Sequence, residues 1–269
     1  MTAEIALMNK SAVALAADSA VTLGAGEKIY NTVNKLFTLS KFAPVGVMIY
    51  GSAEIMGVPW EVVIKTYRQR RLGNTRFDRL RGYAEHFIAY IQDSRDLFPE
   101  ALQRKWAEVR IESHLLFLFQ TIQRRVERHV FRKGPLEAEE RRRIVREVLR
   151  GDAKKHTDLV LLPCLPTGFS DRVRSEYGGY IGKQISGIFG RLKLSRQQRA
   201  ALLETCINVL CKNAFDHSME PVGTGIVIAG FGEADFFPGV IDIGTDTIVF
   251  DTFRQFIRAE IQCATGLCP

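Results

Sequence analysis

The second residue carries the first chemistry worth weighing. Thr2 directly follows Met1, and so small a second residue lets an aminopeptidase remove the methionine. A free N-terminal threonine holds a hydroxyl nucleophile and an α-amine on one residue. The amine's ordinary pKa is about 7.7–8.0, so at neutral pH it can take the hydroxyl proton directly or through one water. Many chains begin Met-Thr, and the reading depends on the groups that would work with it.

Other familiar chemistries fail on spacing. Gly182-Lys183 has Tyr177 where a phosphate-cradling loop needs its first glycine, and Gln184 follows the lysine. Gly24-Ala25-Gly26 has Ile29 in the place of the third glycine of a dinucleotide fingerprint. Both read as turns. Gly168-Phe169-Ser170-Asp171-Arg172 opens like a nucleophile elbow but lacks the closing glycine and a preceding strand, so Ser170 reads as a helix cap. His86, His114, His129, His156 and His217 show no metal-type pair spacing, and no metal site or cofactor is expected. The five cysteines form no C-x-x-C pair, and Cys206 sits in a helical apolar pattern as a buried thiol.

The elements that must position these groups fall into three stretches. Residues 1 to about 51 read as strands. Ile5–Met8 and Ala12–Ala17 are separated by the turn Asn9-Lys10-Ser11, and Val21–Leu23, Lys35–Leu39 and Val45–Tyr50 follow. From Ser52 to about Phe215 the apolar period is helical. Ile55, Val58, Val62 and Val63 start one helix, Leu80 to Ile91 a second, and a third begins near Pro99 and ends at Gly134-Pro135. The next helix is expected to stop at Gly151, and Ser195 caps a later one. Beyond Val222 strands return at 225–230, 239–243 and 248–250, with a turn around 235–238. Strands, helices and strands again predict an α+β protein.

With these elements in place, Thr2 acquires company: Ala16-Ala17-Asp18-Ser19-Ala20-Val21-Thr22, then Asn34-Lys35-Leu36-Phe37, then Ile49-Tyr50-Gly51-Ser52-Ala53-Glu54. This set resembles the proteasome β-subunit family of N-terminal nucleophile hydrolases, particularly its smaller bacterial members made without a propeptide. The likeness covers residues 2 to about 70, loosens over the helices and returns in the strand pair at 225–243. It implies a four-layer αββα sandwich of two antiparallel sheets and threonine-type hydrolysis of peptide bonds. Thr2 would be nucleophile and base, Lys35 a cation lowering its proton affinity, Asp18 the partner orienting Lys35, and the Gly51 N–H an oxyanion donor. Val21, Ile49 and Ala53 would line the substrate pocket. It further implies a homo-oligomeric ring enclosing unfolded protein or peptide, served by an ATP-dependent unfoldase.

Against that family pattern the chain reads as one domain over 1–269 with an enlarged helical layer inserted at about 95–155. Its C-terminus reads as truncated, without the Ser-containing turn and closing strands that support the N-terminal amine. A catalytically inactive ring or scaffold subunit is therefore the alternative reading.

Composition bounds the remainder. With 269 residues, 46% hydrophobic and 25% charged, the chain can bury a large core, which excludes disorder and a disulfide-stapled miniprotein. The net charge of +7 is concentrated in the middle, where 23 basic residues face 14 acidic ones between Glu61 and Lys155. Arg141-Arg142-Arg143 follows Glu139-Glu140 at helical ion-pair spacing, so it reads as solvated helix surface rather than a nucleic-acid patch. No apolar run approaches the ~20 residues of a membrane span. A cytoplasmic protein without a membrane partner is expected.

Overall fold

Asn9 closes the first hairpin. Its side-chain oxygen accepts from the N–H groups of Ser11 (2.8 Å) and Ala12 (2.9 Å), so β1 (Glu4–Met8) turns into β2 (Val13–Ala17). The structure is a computed structural model and describes residues 4–18, 21–23, 28–30, 34–213 and 223–263. It is a mixed α+β protein. The chain divides into two compact units, one of residues 1–103 with 218–269 and one of residues 104–217.

In the first unit, β3 (Val21–Leu23) pairs with β4 (Lys28–Tyr30). A five-stranded antiparallel sheet is built from β5 (Leu36–Thr38), β6 (Val45–Gly51), β9 (Thr224–Gly230), β10 (Gly239–Val249) and β11 (Thr252–Gln262), in the order β11-β10-β9-β6-β5. Every residue of β9 is buried, as its unbroken apolar run requires of a central strand. Register fixes the faces. Val45 lies opposite Gly230, and Gly230 opposite Gly239, where the Leu80 side chain approaches; Gly46, one residue on, faces Leu15 of β2. Because alternate residues point to opposite sides, α2 (Leu80–Asp93) covers one face of the sheet and the β1–β2 hairpin lies on the other.

Two sequence expectations change in this unit. The helix expected from Ile55 starts only at Trp60, because Glu54–Ile55 (β7) and Val58–Pro59 (β8) form a small hairpin instead. Met56 (φ 54°) and Gly57 (φ 79°) make its turn, both in the left-handed region that two-residue hairpins need. Helix α1 (Trp60–Thr66) then runs on through a π-helical segment, Tyr67–Leu72. The expected short strand at 248–250 is instead the end of β10, and β11 follows a turn of Phe250 (φ 53°) and Asp251 (φ 59°). Where β10 and β11 slip register, Arg254 and Asp246 form an ion pair with both side chains fully buried; Arg254 Nη1 donates to each carboxylate oxygen at 2.7 Å.

The second unit is helical, with most of α3 (Glu100–Lys133), α4 (Ala138–Asp158), α5 (Phe169–Phe189) and α6 (Arg196–Cys211). Gly134 (φ 83°) follows the end of α3 as expected. Ser195 caps α6 in a full capping box with Gln198. Helix α4 runs through Gly151 rather than stopping there. A mid-helix glycine costs only about 1 kcal/mol, which the buried Ile144, Val145, Val148 and Leu149 on its packed face outweigh. Gly182-Lys183 lies inside α5 rather than in a turn. No helix among the described residues is long and apolar enough to cross a membrane.

Candidate active site

Lysine seldom occupies a protein interior unless an anion accompanies it. Lys35, just ahead of β5, is only 5% exposed. Its backbone carbonyl accepts from the Ile49 N–H at 2.8 Å, which fixes the residue beside β6. Its ammonium lies 3.7 Å from a carboxylate oxygen of Glu4, the first residue of β1. That separation is an ion pair beyond hydrogen-bond reach. Burial raises the Glu4 carboxyl above its ordinary value of 4.5; Lys35 draws it down, and Asp18, just past the end of β2, pushes it up again. One buried ammonium and two carboxylates thus gather where β1, β2 and β5 meet.

Glu4 is the member that sequence reasoning missed. Only its contact with a buried lysine singles it out. No signal in the sequence marks it, since the lysine it meets lies thirty-one positions away.

Gly51 ends β6, opposite Thr224 of β9. Its φ is 79°, and a Cβ there would stand 2.4 Å from the carbonyl oxygen of Gly223. Only glycine satisfies both conditions. The Trp60 indole donates to Thr224 Oγ1 at 3.3 Å, tying the start of α1 to the same strand end.

Beside Gly51, Tyr50 belongs to a polar cluster on the sheet face away from α2. Its hydroxyl hydrogen points to Asp242, 2.9 Å from either carboxylate oxygen, and its oxygen accepts from Arg258 Nη1 at 2.8 Å. The phenol is pushed up to about 12, first by burial and then by Asp242, so at neutral pH it donates rather than ionises. The Tyr50 ring lies over Gly225 and the Arg258 guanidinium over Gly244, each occupying the space a Cβ would need.

The other anticipated residues are placed as follows. Ile49 is buried in the sheet, 2% exposed, and Ala53 is half-buried before β7. Val21 opens β3. Thr2 lies outside the described residues, as does Gly24-Ala25-Gly26. Cys206 is fully buried, and burial pushes its thiol well above the ordinary range, which makes it inert as a nucleophile. Arg142 and Arg143 pair with Glu139 and Glu140 on an exposed face of α4. Comparison of the chain with known families, curated proteins and solved structures gives no match.

Proposed function

We propose that this chain is a threonine-type N-terminal nucleophile peptidase of the proteasome β-subunit kind. The buried Lys35–Glu4 pair carries the reading, with Asp18 close enough to act on Glu4. Glu4 follows Thr2 by two residues, a stretch of chain that spans at most about 7 Å. If the Thr2 hydroxyl lies beside Lys35, that desolvated cation favours its ionised form. Once Met1 is removed, the Thr2 amine takes the Oγ proton and Oγ bonds to the substrate carbonyl carbon. The oxygen that gains charge is met by the Gly51 N–H. Collapse breaks the C–N bond as the amine passes its proton to the leaving group. Water, deprotonated by the same amine, then cleaves the ester and restores the threonine.

The wider reading follows from the same likeness. In a four-layer αββα sandwich the five-stranded sheet, α2 and the β1–β2 hairpin would be three of the layers. Copies of the chain would form a cytoplasmic ring that admits only unfolded segments, fed by an ATP-dependent unfoldase.

Intact-mass measurement combined with turnover of a fluorogenic peptide tests the proposal. Loss of Met1, measurable turnover and its abolition in Thr2→Ala are expected. Retained Met1, or equal turnover in Thr2→Ala, overturns the peptidase reading in favour of a silent ring subunit.

A further inference from the structure

Helix α4 places Asp152 and His156 one turn apart, on the side that faces α3. Residues at i and i+4 sit above one another on a helix surface, and both side chains here turn inward: His156 is 4% exposed and the Asp152 side chain 11%. From α3 comes His114, 6% exposed, with Nε2 3.1 Å from Asp152 Oδ2. His156 Nδ1 lies 3.4 Å from the other carboxylate oxygen, Oδ1. One donor atom from each of the three residues falls within 4.8 Å of the others. All three belong to the helical unit 104–217, apart from the Lys35 cluster.

The separations bear on two readings. A hydrogen-bonded His–Asp–His chain favours N···O distances of 2.7–3.2 Å, with a mode near 2.9 Å. His114 meets the long end of that range and the His156–Oδ1 separation falls outside it. Donors that share a tetrahedral ion at about 2.0–2.1 Å stand about 3.3 Å apart. The two separations, made to different Asp152 oxygens, are near that value, and the full set, within 4.8 Å, reaches it by small side-chain rotations. His156 Nδ1 also lies 3.1 Å from the Asp152 backbone carbonyl. In a helix that carbonyl already accepts from the residue 156 N–H, so it stays satisfied if Nδ1 turns its lone pair to a metal. Two imidazoles and one carboxylate are a donor set suited to Zn²⁺ and its neighbours rather than to Mg²⁺ or Ca²⁺.

We propose that His114, Asp152 and His156 bind one Zn²⁺-type divalent ion that fastens α3 to α4. Sequence spacing misses the site because it searches for pairs of histidines, whereas the informative pair is Asp152 with His156. The ion neutralises the charge of an inward-facing carboxylate and draws the three side chains to one centre.

The test uses the full chain, purified without a histidine tag, stripped with chelator and titrated with Zn²⁺. One equivalent is expected to bind and to raise the thermal midpoint of the apo protein, reversibly on re-chelation. His114→Gln and Asp152→Asn should each weaken binding beyond the ~10–100-fold that loss of a mere supporting partner costs. An apo protein whose midpoint ignores both chelator and Zn²⁺ overturns the proposal, and this arm needs no variant. So does Zn²⁺ binding of unchanged affinity in both variants, which would put the ion elsewhere. The Thr2→Ala measurements are independent of either result.

Discussion

Replacing Lys35 by methionine removes one buried charge and leaves Glu4 under the repulsion of Asp18 alone among the charges that act on it. At 3.7 Å from Glu4, an effective dielectric constant of about 20 gives an attraction of about 4.5 kcal/mol. Desolvation of the ammonium offsets part of this in the wild type, but removing one partner of a buried pair typically costs about 3–5 kcal/mol. With a urea slope of about 2 kcal/mol per molar, the unfolding midpoint at neutral pH should fall by roughly 1.5–2.5 M. The loss should also depend on pH. Glu4 is already raised above 4.5 by burial and by Asp18, with Lys35 opposing; without Lys35 it rises further. A carboxyl with a raised folded-state pKa binds its proton more readily folded than unfolded. Lys35→Met therefore regains stability as pH falls through that raised value, with the gain complete below 4.5. Urea titrations of wild type, Lys35→Met, Glu4→Gln and the double variant, at neutral pH and at the lowest pH where wild type stays folded, measure the coupling. A deficit of the same size at both pH values, or a double variant no better than Lys35→Met, refutes the reasoning.

Three further outcomes are expected. Gly51→Ala should lower peptide turnover per folded molecule and cost about 1–3 kcal/mol in a thermal melt, since φ is 79° and the new Cβ meets Gly223 O. Asp246→Ala removes the carboxylate paired with fully buried Arg254 and should cost about 3–5 kcal/mol, while Asp246→Leu with Arg254→Met loses far less; calorimetry separates the two. Asp235 accepts from the N–H groups of Leu80 and Gly232 at 2.8 Å and from Arg79 at 2.9 Å. Burial alone would raise this carboxyl, but those bonds outweigh it and hold it below 3.8. Its contribution is thus complete above 3.8 and lost as pH falls through the lower folded value. Asp235→Asn should cost about 1–3 kcal/mol at neutral pH and flatten the acid limb of the stability curve.

Local chemistry made much of this legible in the sequence. The Asn9 turn, the strands at 13–17 and 45–51, the helix from Leu80 and the Ser195 cap all announce themselves through neighbouring residues. What escaped depends on distant partners. Strand β11 carries Arg254, Arg258 and Glu260, which break the apolar pattern until Asp246, Asp242 and Arg81 are seen to meet them. Its turn uses Phe250-Asp251 where a glycine would be the usual signal. Helix α4 passes Gly151 because packing on its other residues overrides a local preference. At the candidate active site, Lys35 and Gly51 could be named from the family likeness, but Glu4 could not. Nothing in its neighbours marks a carboxylate whose partner lies thirty-one positions away.

The pairing of β6 with β9 sets a timetable for synthesis. Gly51 must wait for Thr224, and a ribosome adding ~5–20 residues per second needs roughly 10–35 s to reach it. Throughout that interval β6 has β5 on one side and an open row of backbone donors and acceptors on the other. Its Val45-Gly46-Val47-Met48-Ile49-Tyr50 is apolar and carries no charge, the kind of edge that joins other chains. The helices of residues 104–217, made meanwhile, form their contacts within one compact unit. Slowing translation across 104–217 should therefore increase co-translational aggregation, and a chaperone that covers strand edges should rescue the yield.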